Sequence, residues 1–439
     1  MKIITASKFY YHRAGLESYL FKITKTLREK GHEIIPFSTT YRENYKTEYD
    51  RFFAEYIELG GGSNPHVYTK LRALVKIFYN FEARTKFSAL LDYTKPYLIW
   101  GFGIHRHLSP SIFMEGKKRH IPVIHRLSDY AIICPDSRLT IGDDKNCKEL
   151  LCPLKGYHNA IIHRCVRQSG IQNSHKNPSL AASVVGALEL YFHNRLKCYI
   201  NNVDIFIAPS NFLKNTMIKS GIPENKLVHI PIYISPKDFE PNYDSLPYMV
   251  YFGRLSYEKG LKSLLNATAA LKRHRLVIIG DGPQRKELEE FKKANNLESV
   301  SFAGKLYGER LHNAVKHSQL VIVPSTWYDN SPNVILESFA LGKPVLGANI
   351  GGIPEYINKN QDGLLYEYDN QEELTDKINL LMENPALCTE MGRQGRIKIE
   401  LKYNSEIHYQ KLTELFRRLN SGTKSFINID SGHKPEWNT

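Results

Sequence analysis

The hydrophobic positions of this chain form short β-branched runs that alternate with segments of helical periodicity. A first strand is expected at residues 2–5, and the helix after it is marked by apolar residues three and four apart: Leu16, Tyr19, Leu20, Ile23 and Leu27. Gly31 is expected to end this helix. Further strands are expected at residues 33–37, 98–102, 122–126, 204–209 and 226–231. Strands and helices that alternate in this way predict α/β layers built on a parallel sheet.

The alternation is interrupted once, between Tyr233 and Tyr248, where Pro236, Pro241 and Pro247 stand among polar residues. Strands are then expected at residues 249–253, 276–280, 300–303, 320–324, 344–347 and 364–366. A chain of 439 residues is also too long for a single hydrophobic core. We therefore predict two doubly wound, Rossmann-like α/β domains that face a central cleft. Their predicted limits are residues 1–235 and 245–402, followed by a helix at 403–420 that can cross back to the first domain and a flexible tail at 421–439.

The formal net charge is +14, so the surface is expected to attract phosphate-bearing partners. Nucleic acid, an anionic membrane and anionic small molecules all remain candidates on charge alone. The sequence contains no apolar run as long as the roughly 18 residues of a membrane-spanning helix, and its first residues run directly into a strand instead of a secretory signal. A cytoplasmic location is expected.

Four of the six cysteines fall within one region: Cys134, Cys147, Cys152 and Cys165. Such a set can hold a structural zinc ion. The gap between Cys147 and Cys152 is wider than the usual two residues, however, and no second close pair exists. Reduced thiols are therefore the preferred interpretation.

Candidate ligand-binding residues of the second half follow the expected strands. Arg254 and Lys259 come after the first of them, and Gly260 opens the next helix, an arrangement that suits a diphosphate. The alternative is a solvated loop with two surface charges. Gly280 and Gly282 flank Asp281 after the next strand and allow a tight turn.

A third loop carries Asp329 and leads into a helix that Ser331 is expected to cap, with Pro332 at its first position. Glu337 lies eight residues after Asp329. Carboxylates accept hydrogen bonds from sugar hydroxyls, and a helix start favours phosphate. A capped surface helix is the plainer alternative. Gly351 and Gly352 follow a fourth strand and free the backbone to approach a ligand.

In their order and spacing, these segments resemble the donor domain of family 4 glycosyltransferases: F-G-R-L-x-x-x-K-G, G-D-G-P, P-S followed by an acidic residue and then Glu, and G-G-x-x-E, between residues 250 and 357. The resemblance implies a retaining enzyme of the GT-B fold that uses a UDP- or GDP-sugar and requires no cofactor or metal. It implies that Arg254 and Lys259 bind the donor diphosphate, Glu337 the ribose and Asp329 the sugar. The family usually has Glu where Asp329 stands. The remaining donor-binding residues implied are Gly15, Gly280, Gly282, Asn330, Ser331, Pro332 and Asn333.

The first half resembles the same family more loosely. Gly15 and Glu17 match its first glycine loop, in which Ala14 replaces one glycine. Ser128 stands where the family has a histidine, and Asp129 is kept. We predict Asp129 as the general base on the acceptor hydroxyl, with a turn residue as the alternative. His105 and His125 are further candidates on the acceptor side.

Apolar and basic residues alternate at helical spacing between Lys70 and Leu91. A basic amphipathic helix can lie on an anionic membrane, but the same pattern is typical of a helix that packs on a core. The resemblance favours the membrane-binding interpretation, because many members of the family act on lipid-linked acceptors. The expected function is sugar transfer to a glycan or lipid-linked glycan in bacterial surface polysaccharide synthesis. The alternatives are a GT-B sugar-nucleotide epimerase and a basic nucleic-acid-binding protein, although no nucleic-acid motif is found.

Overall fold

The computed structural model describes residues 1–13, 15–56, 67–141, 145–167, 179–271 and 273–420, and for residues 67–71, 145 and 420 it describes the backbone alone. The chain divides into two compact units. Unit 1 comprises Met1–Ile230 together with the chain from Tyr409 onward, and unit 2 comprises Pro231–His408. The stretch from Tyr233 to Tyr248, which the prolines predict to be an interdomain linker, falls within unit 2. The predicted tail at 421–439 and Ala14 lie outside the described residues.

Unit 1 contains a six-stranded parallel sheet and two small two-stranded ladders. The strands are β1 (Lys2–Ser7), β2 (Glu33–Phe37), β3 (Thr39–Thr40), β4 (Ala54–Glu55), β5 (Leu98–Phe102), β6 (Val123–Arg126), β7 (Thr140–Ile141), β8 (Lys145–Asn146), β9 (Ile205–Ala208) and β10 (Leu227–His229). The order across the large sheet is β10-β9-β6-β5-β1-β2. Every residue of β5 is buried, because helices cover both faces of the sheet.

The helices of unit 1 are α1 (Gly15–Glu29), α2 (Val67–Phe78), α3 (Phe81–Thr94), α4 (Ser111–Lys118), α5 (Leu151–Lys155), α6 (His158–Ile162), α7 (Leu180–Arg195) and α8 (Asn211–Lys219). The single helix expected between Lys70 and Leu91 is therefore wrong. The helix is broken at Asn80, whose side chain accepts a hydrogen bond of 2.9 Å from the Ala83 amide and so starts α3 as its N-cap.

Unit 2 is a second six-stranded parallel sheet with helices between its strands. The strands are β11 (Tyr248–Phe252), β12 (Arg275–Ile279), β13 (Val300–Gly304), β14 (Leu320–Val323), β15 (Val345–Ala348) and β16 (Gly363–Tyr366). The helices are α9 (Leu261–Ala270), α10 (Arg285–Ala294), α11 (Gly308–Lys316), α12 (Asn333–Ala340), α13 (Gln371–Glu383) and α14 (Pro385–Lys402). The order across the sheet is β13-β12-β11-β14-β15-β16, the order of a doubly wound nucleotide-binding domain.

The last described helix, α15 (Ser405–Asn420), begins in unit 2 and continues into unit 1. Leu412 and Leu415 are fully buried, and the ring of Phe416 packs edge-on against Trp100 of β5, with 5.9 Å between the centroids. Unit 1 is thus completed by a segment that follows unit 2 in the chain. Within the described part of the chain, no helix is both long and apolar enough to cross a bilayer.

Candidate functional site

The strand order of unit 2 reverses between β11 and β14. Successive strands run outward from β11 through β12 to β13, and the chain then returns to β14 on the other side of β11. Loops that leave the carboxyl ends of β11 and β14 therefore diverge, and the crevice between them is where doubly wound sheets bind ligands. The loop after β11 carries Arg254 and Lys259, and the loop after β14 carries Asp329.

Lys259 and Asp329 meet at this point. The Lys259 Nζ lies 2.5 Å from the Asp329 Oδ2 and 5.7 Å from the ring centroid of Trp327. The side chain of Asp329 is 12% exposed and that of Lys259 is 26% exposed, so the pair is mostly buried but still accessible to solvent. Arg254 is exposed. The site therefore has one cation held in place by a carboxylate and a second cation in solvent.

Close contacts between loop backbones explain the glycines of the site. Gly260 has φ +69°, and a Cβ atom there would lie 1.8 Å from the carbonyl oxygen of Pro324. Gly280 has φ +138°, and its Cβ would lie 1.8 Å from the carbonyl oxygen of Gly253. Only glycine combines a positive φ with so close an approach. The loops after β11, β12 and β14 are thereby packed on one another.

Hydrogen bonds join these loops. The Leu255 amide donates to the Asp281 carbonyl over 3.0 Å, and the Gly352 amide donates to the Asp329 carbonyl over 2.7 Å. The Thr326 amide donates to the Glu258 carbonyl over 3.0 Å. All four predicted loops, including the one with Gly351 and Gly352 after β15, therefore form one connected surface at the carboxyl edge of the sheet.

The start of α12 differs from the prediction by one residue. The helix begins at Asn333, and Pro332 occupies the N-cap position with extended backbone and no side-chain cap hydrogen bond. Ser331 is therefore not the cap, because proline holds the cap position and leaves Ser331 outside the helix. Asn330 is buried beside Asp329, and Glu337 lies half-buried on α12.

The acceptor-side candidates of unit 1 lie at the carboxyl ends of β5 and β6, and Gly15 is the first residue of α1. Asp129 is half-buried, and its carboxylate accepts a hydrogen bond of 2.9 Å from the Ala131 amide. Burial raises the pKa of Asp129 above its usual range. A carboxylate with a raised pKa is a stronger base, which suits proton abstraction.

The two histidines differ in their surroundings. His105 Nδ1 lies 2.8 Å from the hydroxyl of Tyr199. His125 is fully buried among Phe113, Tyr199 and the ring of His105, so its ring faces the core and not a ligand. Burial lowers the pKa of His105 to about 3 and that of His125 well below its usual value. Both rings are therefore neutral near pH 7.

Sequence reasoning missed several polar residues that the fold brings to this edge of unit 1. They are Lys8 and Arg13 after β1, Arg106 and His107 after β5, Glu189 within α7 and Tyr199 after that helix. The signal for the first four was their place directly after an expected strand, at the edge where parallel sheets bind ligands. Glu189 and Tyr199 had no such signal, because neither follows an expected strand in the sequence.

The four clustered cysteines line one small cavity together with His163: Cys134, Cys147, Cys152 and Cys165. All four are buried and unbonded to one another. Burial raises the pKa of Cys152 to about 12 and also raises the pKa of Cys134 and Cys147. Within the described residues, no three His, Cys, Asp or Glu side chains are placed to hold a metal ion.

Comparison with known proteins finds relatives that match unit 2. Residues 236–398 match the family model described as Glycosyl transferases group 1. The amylovoran biosynthesis glycosyltransferase AmsK of Erwinia amylovora is 25% identical over 49% of this chain and 56% of its own length. The chain spans about half the length of the first curated relatives that it matches.

Solved structures cover nearly the whole chain. Sucrose-phosphate synthase from Thermosynechococcus elongatus superimposes with a TM-score of 0.67 over 96% of this chain and 100% of its own, at 17% identity. The Anabaena protein HepE in complex with UDP-glucose superimposes with a TM-score of 0.61 over 94% and 99%, at 16% identity. These likenesses establish the predicted GT-B fold. In sequence, residues 236–398 are therefore similar to the group 1 glycosyl transferases.

Proposed function

We propose that this protein is a retaining glycosyltransferase that moves a sugar from a UDP- or GDP-sugar to a glycan or lipid-linked glycan. The observation that carries the proposal is the meeting of Lys259 and Asp329 at the reversal point of the unit 2 sheet. The HepE structure was solved with UDP-glucose, which supports a nucleotide sugar as the donor. AmsK acts in amylovoran biosynthesis, which supports surface polysaccharide assembly as the setting.

In this proposal, the donor diphosphate lies against the cations of Lys259 and Arg254. The sugar–phosphate bond breaks, and negative charge develops on the departing diphosphate. Fixed cations at that position stabilise the charge, which is the largest catalytic effect such a site can supply. Asp329 holds the ammonium of Lys259 in position and accepts hydrogen bonds from sugar hydroxyls. Glu337, half-buried on α12, is assigned to the ribose.

The acceptor hydroxyl forms the new bond to the anomeric carbon on the face from which the diphosphate departs. Its proton goes to Asp129, whose raised pKa makes the carboxylate a competent base. His105 is assigned to the acceptor side through its hydrogen bond with Tyr199. His125 is left out of the mechanism because its ring is enclosed in the core.

We also propose that the acceptor is presented at a membrane surface. The basic residues between Lys70 and Leu91 give this proposal little support, because acidic partners already neutralise them. Arg72 and Lys76 pair with Glu55, and Arg84 pairs with Glu115. Stronger support comes from large apolar side chains that are exposed on neighbouring helices: Leu74, Val75, Phe81, Leu188 and Tyr191. Co-sedimentation with anionic vesicles tests this part, and equal recovery with and without vesicles would remove it.

The donor site is tested by a thermal-shift panel of sugar nucleotides and nucleoside diphosphates. Wild type, Arg254→Ala and Arg273→Ala are compared, because Arg273 is an exposed arginine of unit 2 that pairs with Glu383 away from the site. We expect one nucleotide family to stabilise the wild type. Arg254→Ala should lose that stabilisation, and Arg273→Ala should keep it. Absence of any shift would overturn the donor site, and salt-sensitive oligonucleotide binding would then favour the nucleic-acid alternative. Turnover of the donor without an acceptor would favour the epimerase.

A further inference from the structure

The sheet of unit 1 has its own reversal point, between β1 and β5. In the order β10-β9-β6-β5-β1-β2, the chain passes from β1 to β2 on one side and returns to β5 on the other. The loops that leave β1 and β5 therefore diverge and create a second crevice of the kind that binds ligands. Lys8 and Arg13 follow β1, and Arg106 and His107 follow β5.

Three cations converge on this crevice. The Lys8 Nζ lies 4.8 Å from the ring centroid of Phe9, and the Arg13 guanidinium carbon lies 4.7 Å from the same ring. Lys8 is also 5.6 Å from the ring of Tyr56, on which His107 stacks at 5.2 Å. Burial, and after it the charges of Arg13 and Arg106, lower the pKa of Lys8 to about 8. The third cation, Arg106, is thus near enough to act on Lys8.

Only part of this positive charge is neutralised. Arg106 pairs with the buried Glu189, with 3.2 Å between Nε and Oε2. Glu17 opposes the lowering of the Lys8 pKa, but its effect is the smallest of those that act on that lysine. Lys8 and Arg13 form no ion pair within the portion of the chain that the structure describes. Lys8 and Arg106 are half-buried and Arg13 is exposed, and cations held this close together favour an anion beside them.

An aromatic surface adjoins the cations. The rings of Tyr11 and Tyr41 stack with centroids 5.7 Å apart and an interplanar angle of 11°. Tyr41 meets Phe9 at 4.9 Å and Tyr56 at 5.0 Å, both edge-on. The C–H face of a sugar ring packs on such aromatic surfaces, while a few charged groups fix its orientation. Aromatic rings beside unneutralised cations thus favour a sugar that carries negative charge.

We propose that the acceptor bears an anionic group, a phosphate or a carboxylate, which binds to Lys8, Arg13 and Arg106 while an adjacent sugar ring packs on Tyr11 and Tyr41. The inference rests on the proposed function, because it names the chemical class of that enzyme's acceptor. The diphosphate of the donor has the same chemistry as an acceptor phosphate, so the experiment must separate the two.

The test is calorimetric titration of the full chain with three sugars: glucose 1-phosphate, methyl glucuronide and neutral methyl glucoside. Each titration is made with the donor site saturated by the nucleoside diphosphate that stabilises the protein. We expect at least one anionic sugar to bind about tenfold more tightly than the neutral one. Lys8→Met and Arg13→Ala should each remove that advantage and leave the neutral sugar unaffected. Phosphate and carboxylate acceptors are distinguished by which anionic sugar binds.

Arg51→Ala is the matched control, because Arg51 also lies over aromatic rings of unit 1, at 4.9 Å from Phe52 and 4.7 Å from Tyr93. It should change none of the affinities. Equal affinity for all three sugars, or no measurable binding of either anionic sugar, would overturn the proposal. Weaker nucleoside diphosphate binding by Arg13→Ala, with sugar binding unchanged, would assign the cations to the donor instead. An intact nucleotide response through Arg254 would show that only this inference, and not the proposed function, had failed.

Discussion

Lys259 and Asp329 stand 70 residues apart in the chain, yet the Lys259 Nζ and the Asp329 Oδ2 lie 2.5 Å apart. They come from the loops after β11 and β14, which are neighbouring strands in the sheet although the chain makes two other strands between them. The carboxylate fixes the position of the ammonium before any ligand arrives. An ordered cation costs no reorganisation when charge develops on a leaving group, and this is the condition for efficient electrostatic catalysis.

Removal of the ammonium should therefore abolish most of the transfer. We expect Lys259→Ala to lower kcat by about 10²-fold or more, because a charge-assisted contact to the leaving group is lost. Lys305→Ala is the control, since Lys305 is an exposed lysine that lies 3.8 Å from Asp281 outside the pair. Initial rates at saturating donor and acceptor measure the effect. Near-normal turnover of Lys259→Ala would refute the role assigned to Lys259.

A methyl group at Gly260 should disrupt the same site through the backbone. The new Cβ would lie 1.8 Å from the Pro324 carbonyl oxygen, so the loops after β11 and β14 would have to separate. We expect Gly260→Ala to lose nucleotide binding and to unfold at a lower temperature. Gly308→Ala is the control for backbone strain alone. Gly308 has a positive φ of +52°, but nothing lies within 4 Å of its Cβ position, so the new methyl group meets no steric clash. If both variants lost equal stability and both kept nucleotide binding, the loop contact would have no part in the site.

The carboxylate of Asp129 is expected to act only in the chemical step. Asp129→Asn keeps the size of the side chain and the acceptor oxygen for the Ala131 amide, but it removes the base. We expect kcat to fall by about 10²- to 10⁴-fold with little change in donor affinity. Unchanged turnover at saturating substrates would remove Asp129 from the mechanism and leave it as a turn residue.

Acid should destabilise the fold through its buried histidines. Burial lowers the pKa of His105 and of His107 to about 3 and that of His125 well below its usual value, while histidines of the unfolded chain titrate near 6.5. A histidine whose pKa is lowered in the folded protein makes its full contribution to stability above pH 6.5. That contribution is lost as the pH falls toward the pKa of the folded state. The raised pKa values of Asp129 and Glu189 act in the opposite direction, because these carboxyl groups bind a proton more readily in the folded protein than in the unfolded chain.

The measurement is the free energy of unfolding between about pH 7 and pH 5, compared between wild type and each histidine variant. Neither ring nitrogen of His125 has a hydrogen-bond partner of good geometry among the described residues, so phenylalanine fits the site chemically. We expect His125→Phe to reduce the slope by up to about 1.4 kcal/mol per pH unit. Replacement of the exposed His317 by Gln should not alter it. A slope identical to wild type in His125→Phe would contradict the prediction.

The clustered cysteines should behave as inert, reduced thiols. Burial raises the pKa values of Cys134, Cys147 and Cys152, so little thiolate exists at neutral pH. We expect slow alkylation in the folded protein, fast alkylation after unfolding, and no stoichiometric zinc by elemental analysis. One zinc ion per chain, with thiols that become reactive when a chelator removes it, would instead establish a metal site at this cavity.

The strands were largely predictable from the sequence, because buried parallel strands appear as short continuous apolar runs. The expected strands at residues 33–37 and 98–102 match β2 and β5 in both limits. Capping was less predictable. Asn80 divides a segment whose apolar spacing continues across the break, and Pro332 takes the cap position that Ser331 was expected to hold.

The order of the strands was beyond the reach of the pattern. Apolar runs identify strands but not their neighbours, so the pairing of β11 with β14 and the meeting of Lys259 with Asp329 could not be derived from spacing. The resemblance to a known family supplied the donor residues instead. It offered nothing for Lys8, Arg13 and Arg106, whose proximity depends on the second reversal point, between β1 and β5.

The division of unit 1 across the chain has a consequence for how the protein is made. Synthesis proceeds from the N-terminus, so every strand of both sheets has been translated before the residues from Tyr409 onward appear. Until then, Trp100 lacks the ring of Phe416, and His32 lacks its 3.0 Å hydrogen bond to Tyr409. Unit 2 is continuous in the chain, whereas unit 1 keeps an apolar surface uncovered until the residues from Tyr409 onward are available. The first unit to be synthesised is therefore the last to complete its hydrophobic core.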